Sequence, residues 1–107
     1  MYRHELRFVL RFGGRGQFEG FARRLHEQEC ARGWTAPRIW RATSGHVNQF
    51  VIEHDYESVD AFRAERAALR EEPGEVGQIL AGLGELAVPG TAVEFELDGF
   101  DLIGGDR

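Results

Sequence analysis

Gly45-His-Val-Asn-Gln-Phe-Val-Ile-Glu-His-Asp-Tyr-Glu-Ser-Val59 decides the fold, because it reads as the second arm of a hairpin that runs without a spacer into a helix. From Val47 to His54 the residues are mostly β-branched or aromatic, the composition of a half-buried strand. Asp55, Tyr56 and Glu57 break that run, and Ser58 is placed to accept a free amide of the first turn that follows. Asp60 then sets negative charge near the positive end of the helix dipole. Upstream, Arg38-Ile-Trp-Arg-Ala-Thr43 is a second extended run, and Ser44-Gly45 supplies the turn between the two arms.

Working outward, His4 to Phe12 alternates, with His4, Leu6, Phe8, Leu10 and Phe12 on one side and Glu5, Arg7, Val9 and Arg11 on the other, which predicts a strand. Gly13-Gly14-Arg15-Gly16 allows a tight turn, after which Phe18, Phe21, Ala22 and Leu25 recur at helical spacing up to a stop near Gly33. These glycines do not make a phosphate loop. A P-loop closes on Gly-Lys-Ser/Thr and the chain has no lysine, while Gly14, Gly16 and Gly20 leave the last gap one residue too long for a dinucleotide fingerprint. Beyond the hairpin, Val59, Phe62, Arg66 and Leu69 with Ala61, Ala64 and Ala68 predict a second helix that ends by Pro73. Glu75 to Leu86 resumes a helical pattern, weakened by Gly77, Gly82 and Gly84. Pro89-Gly90 is a turn, and Thr91 to Leu97 alternates again.

The order strand, helix, strand, strand, helix with a broken extension, strand is the split βαβ of a ferredoxin-like protomer. The expected fold class is α+β, with a four-stranded antiparallel sheet and helices on one face. A chain of 107 residues is too short to divide into two self-sufficient cores, so one domain spans 1–107, with 100–107 as a tail whose Phe100, Leu102 and Ile103 can dock on the body or a partner.

Composition excludes several functions. There is no apolar run long enough for a bilayer and no basic-then-apolar start, so membrane association and secretion are not expected and the protein reads as cytoplasmic. A net charge of -5 argues against nucleic acid as a partner, because phosphate binding needs clustered positive charge. All 13 basic residues are arginine, which rules out Schiff-base chemistry on a lysine side chain. Cys30 is the single cysteine, so it forms no internal disulfide and reads as a small packing residue near a helix end.

Helices on one face leave the other face of the sheet open. The residues expected there are Arg7, Val9 and Arg11, Ile39 and Arg41 or their neighbours, Gln49, Val51 and Glu53, and Glu94 and Glu96. They describe either a solvated face with weak ion pairs or a face that meets a second sheet, where Arg and Glu pair more strongly.

The run Gly45-x-x-Asn48-Gln49, the strand to His54, Tyr56-x-Ser58, Arg63 to Leu69 with Pro73 beyond, and the opening Glu5-Leu6-Arg7 resemble the NIPSNAP-type domain, a branch of the dimeric α+β barrel superfamily. The likeness spans nearly the whole chain. It implies a homodimer whose two sheets close a barrel, with small-molecule pockets between sheet and helices in those relatives that are enzymes. The third strand is then expected to supply an edge of the barrel and one wall of a pocket. Two departures bear on function: His54 stands where such domains often carry Trp, and Pro73-Gly74-Glu75-Val76 replaces an Asp-Pro-Glu followed by Trp. The superfamily includes cofactor-free antibiotic-biosynthesis monooxygenases, haem-degrading proteins and polyketide cyclases.

Two functions follow as expectations. One is a homodimeric small-molecule-binding protein without turnover, its ligand a small aromatic; the other is a cofactor-independent monooxygenase or cyclase acting on an aromatic polyketide-like metabolite. Neither calls for a cofactor or a metal, and His4, His26, His46 and His54 show no metal-ligand spacing on one element. The candidate catalytic residues are His54 for proton transfer, Asn48 to orient a carbonyl or enolate, and Arg7 to stabilise an oxyanion. Trp40, Arg41, Tyr56 and Arg11 are the candidate ligand-binding residues. A structural histidine, a hairpin asparagine and packing tryptophans are the alternatives at the same positions.

Overall fold

A computed structural model describes residues 1–99. In chain order the elements are β1 (Tyr2–Val9), α1 (Arg15–Ala31), β2 (Arg38–Arg41), β3 (Gln49–Tyr56), α2 (Val59–Glu71), α3 (Gly74–Leu86) and β4 (Val93–Asp98). The strands form one antiparallel sheet in the order β2-β3-β1-β4. The chain is thus an α+β ferredoxin-like protomer, as its element order predicts. Among the described residues no helix is long and apolar enough to cross a membrane.

The core lies where α1 and α3 cover the sheet. Phe8, Leu10, Phe50 and Ile52 come up from the strands to meet Phe18 and Leu25 of α1 and Val76, Ile79 and Leu83 of α3. Phe18 holds the centre, its ring 4.7 Å from that of Phe50 and 5.7 Å from that of Phe8. Ser58 caps α2 by accepting from the Ala61 amide at 3.2 Å, with Asp60 in the first turn. Gly33, at φ 73, closes α1 by donating to the Cys30 carbonyl.

The register of β1 with β3 pairs like with like. Tyr2 faces Tyr56, His4 faces His54, Leu6 faces Ile52 and Phe8 faces Phe50 on the helix side. The intervening rungs, Arg3 with Asp55, Glu5 with Glu53, Arg7 with Val51 and Val9 with Gln49, point to the open side.

Several expectations need correction. Glu94 and Glu96 do not lie on the open face: they pair with Leu6 and His4 and so point to the helix side, leaving Val93, Phe95 and Leu97 on the open side. On β2 it is Arg38 and Trp40 that share the open side with Glu53 and Val51, while Ile39 faces Ile52. β3 is an interior strand, and β2 and β4 are the edges. It begins at Gln49 and continues through Asp55 and Tyr56, because pairing with Tyr2 and Arg3 extends the ladder past residues of poor strand propensity. Val47 instead sits exposed in the connecting turn. β1 ends at Val9, and Leu10 makes an isolated bridge to Ala87, so Phe12 falls outside the alternation and is 89% exposed. Cys30 is exposed rather than packed. The tail's proposed docking through Phe100, Leu102 and Ile103 lies outside the described residues.

Phe18→Ala should lower stability by about 3–5 kcal/mol, the usual cost of emptying a well-packed aromatic site. Ser58→Ala should cost about 1 kcal/mol by freeing the Ala61 amide. Urea unfolding measures both, with the slope unchanged.

Candidate functional site

The inward rows of β1 and β3 change character along their length. The Phe8/Phe50 and Leu6/Ile52 rungs are apolar, and the His4/His54 and Tyr2/Tyr56 rungs carry polar atoms. Where the apolar and histidine rungs meet, a cavity of about 280 Å³ lies between the sheet and the helices. Leu6, Phe8 and Ile52 form its floor, and Leu69 of α2 with Leu80 and Leu83 of α3 complete an apolar body. The other wall is polar: His4, His54 and Tyr56 from the sheet, Glu29 from α1, Glu65 and Arg66 from α2, and Glu94 from β4.

His54 faces this cavity. It is 8% exposed, and its Nε2 lies 2.8 Å from Oε1 of Glu29, which is 7% exposed. In the neutral ring this contact assigns the hydrogen to Nε2, donated to the carboxylate, and makes Nδ1 the basic nitrogen. Glu29 reaches the site because it stands four residues after Leu25 on the buried stripe of α1.

Across the ladder, His4 Nε2 is 3.0 Å from Glu94 Oε1 and 3.0 Å from Arg66 Nη2, and those two groups are themselves 3.0 Å apart. A single nitrogen cannot serve both neighbours at once: bearing a hydrogen it donates to Glu94, and without one it accepts from Arg66. Burial pushes the His4 imidazole below its ordinary pKa despite the Glu94 hydrogen bond, and the Arg66 charge adds to the shift. The Arg66 and His4 hydrogen bonds hold the Glu94 carboxyl below the usual carboxylate range. Phe62 packs under the pair, stacked 5.5 Å from His4, with the Arg66 guanidinium 5.2 Å from its ring centre. Tyr56 meets Phe62 edge-on at 5.3 Å, and burial, with Glu65 and Glu29 nearby, pushes its hydroxyl well above the usual tyrosine range. Glu65 accepts from the backbone amide and the hydroxyl of Thr35, fixing the approach to β2.

Of the residues proposed from the sequence, the structure thus brings His54 and Tyr56 to one cavity. Arg7 and Trp40 are on the far side of the sheet, where with Glu5, Gln49, Val51 and Glu53 they line a shallow concavity. Arg7 donates to Glu5 at 2.7 Å and lies 4.3 Å over the Phe95 ring. Asn48 occupies the turn before β3 at φ 61, a backbone region where asparagine is favoured among side-chain-bearing residues, and its carbonyl accepts from the Leu10 amide at 2.8 Å. Arg11 donates to the Glu85 carbonyl, and Arg41 is exposed at the end of β2. Glu29, His4, Arg66 and Glu94 are site residues that the motif reading did not select. Glu29 had a signal in the sequence, a carboxylate in register with Phe18 and Leu25. Among the described residues no group of three His, Cys, Asp or Glu side chains is arranged to hold a metal ion.

No protein-family model matches this chain, and no curated protein matches its sequence. Solved structures do match it in fold. An uncharacterised NIPSNAP-domain protein from Burkholderia xenovorans superposes with a TM-score of 0.73 at 14% identity, covering 97% of this chain and 99% of that one. A NIPSNAP family protein from Agrobacterium tumefaciens gives 0.69 at 16% identity, with 94% of each chain covered. An antibiotic biosynthesis monooxygenase gives 0.68 at 13% identity, over 94% of this chain and all (100%) of the other. The protein therefore has the ferredoxin-like fold shared by NIPSNAP-domain proteins and these monooxygenases. The NIPSNAP resemblance read from Gly45 to Pro73 holds as a likeness of fold along nearly the whole chain.

Because folding lowers the His4 pKa, the native state takes up this proton at lower pH than the unfolded chain. The stability this contributes is present above the unfolded value of about 6.5 and is lost as pH falls through the folded one. NMR titration of the His4 ring should give a midpoint below about 6.5, and Arg66→Met should move it upward. A midpoint unmoved by that substitution would discard the role given to Arg66.

Proposed function

We propose that this chain is a homodimeric small-molecule-binding protein of NIPSNAP type, whose ligand occupies the cavity between the sheet and the helices. The cavity carries the reading: a partly open apolar body of about 280 Å³ ending in a wall of hydrogen-bonding side chains is the form of a small-ligand site. Two fused rings match its size and its walls. His54 and Tyr56 are the ligand-facing residues from β3.

The open sheet face supports the dimer. Trp40 is 53% exposed at one edge of that face, and Val93 at 48% and Leu97 at 42% are exposed at the other edge. Among them, Arg3, Arg7 and Arg38 are paired with Glu5, Glu53 and Asp55. A face that mixes apolar side chains with charges of both signs has the composition that pairing with its own copy about a two-fold axis requires.

A second reading, a cofactor-independent monooxygenase or cyclase acting on an aromatic polyketide-like metabolite, is favoured by the His54–Glu29 pair. A buried carboxylate that fixes the imidazole tautomer is the usual arrangement of a general base. In this reading His54 takes the proton of a phenolic or enolic substrate, and Glu29 positions it.

Light scattering should return twice the 12.1 kDa mass of the chain. Trp40→Glu combined with Phe95→Glu should return the single-chain mass with the circular dichroism of a folded protein. A monomeric wild type would reject the dimer. Ala87→Phe, which fills the cavity, should abolish binding of a bicyclic aromatic probe. For the enzyme reading, His54→Ala should end turnover of a polycyclic phenol while dimer mass is kept, and unchanged turnover would remove His54 from the chemistry.

A further inference from the structure

The charges around the cavity are not balanced, and the imbalance selects among ligands. Three carboxylates, Glu29, Glu65 and Glu94, face it, and Arg66 is the one guanidinium or ammonium group among its lining residues. Arg66 is already taken: its Nη2 lies 3.0 Å from Glu94 Oε1, and the two neutralise one another at the more exposed side of the wall. Glu29 has the imidazole of His54 as partner, and Glu65 has only the amide and hydroxyl of Thr35. Among the described residues no unpaired guanidinium is therefore left at the cavity to receive an anionic ligand. An anion brought into an apolar cavity without a cation or a set of donors loses its hydration and gains nothing in return. An ammonium group meets the opposite environment: Glu65 has no cationic partner among the described residues, and Glu29 is paired only with an imidazole.

From this arrangement we infer that the cavity takes an amine-bearing aromatic ligand of about two fused rings, with the amine at the Glu29–Glu65 wall and the rings over Leu6, Ile52 and Leu83. The inference rests on the cavity being a ligand site, and it adds the charge class of the ligand. Glu29 and Glu65 are specificity-determining residues in this scheme.

Three naphthalenes of nearly equal shape separate the possibilities: 1-naphthylmethylamine, 1-methylnaphthalene and 1-naphthoate, each titrated into the wild-type protein and followed by NMR shifts of the His4 and His54 ring protons and by calorimetry. The amine should bind about tenfold or more tightly than the hydrocarbon, and the carboxylate most weakly. Equal binding of amine and hydrocarbon, or tighter binding of the carboxylate, overturns the charge assignment while leaving the cavity a ligand site. Binding by none of the three overturns the cavity reading itself, and this inference with it. Glu65→Gln should cut the amine's advantage severalfold and leave the hydrocarbon unaffected. If that variant fails to fold, Glu29→Gln should cut the same advantage and leave hydrocarbon binding unaffected, and an undiminished advantage in that variant overturns the charge assignment.

Discussion

The register of β1 against β3 is the constraint on which this structure depends. Four of its eight consecutive pairs set aromatic opposite aromatic, imidazole opposite imidazole and aliphatic opposite aliphatic along one face. Sliding β3 by one residue would turn Glu53 and Asp55 under the helices and put His54 and Ile52 outside. Sliding it by two would keep the faces but set His4 opposite Ile52 or Tyr56, dissolving the rung at which the cavity changes from apolar to polar. The apolar rungs are held in place by Phe18, which touches both phenylalanines of one rung. The histidine rung is tolerated because each imidazole has its own carboxylate, Glu94 for His4 and Glu29 for His54.

On the reverse face the same register produces a juxtaposition that usually destabilises a sheet, two carboxylates directly opposite one another. Glu5 and Glu53 are 7% and 4% exposed, so water screens them little. Arginines supply the compensation: Arg7 on Glu5, Arg3 and Arg38 on Glu53, with Asp55 sharing the last two. The Arg3 hydrogen bond holds the Asp55 carboxyl below the usual carboxylate range. Such a network fixes side chains that a merely solvated face would leave free.

The fold was legible because its signals are local. The Gly45–Val59 segment, the Ser58 cap and the alternation of β1 each declare an element without reference to the rest of the chain. What escaped was set by pairing across the sheet. Whether Glu94 or Val93 points inward is decided by the offset of β4 on β1, and both choices satisfy a period of two. The strand character of Asp55 and Tyr56 likewise comes from Tyr2 and Arg3, far away in sequence. His54 could be singled out as an inward histidine at the end of a strand. Its partner Glu29 could not be assigned, since nothing local brings a residue of α1 to the end of β3. Asn48 and Arg7 were chemically apt but sit in a turn and on the opposite face, a distinction that residue type does not carry.

Glu53, His54 and Asp55 are consecutive on β3, so one stretch of backbone holds the ionic network on one side and the imidazole of the cavity on the other. β3 is bonded to β1 along its whole length and to β2 from Phe50 to Glu53. A displacement of β3 that opened room beside His54 would carry the Arg3, Arg38 and Trp40 contacts with it, so the two faces form one mechanical unit. In a chain built this way, substitutions that reshape one side are constrained by what the other side must continue to hold.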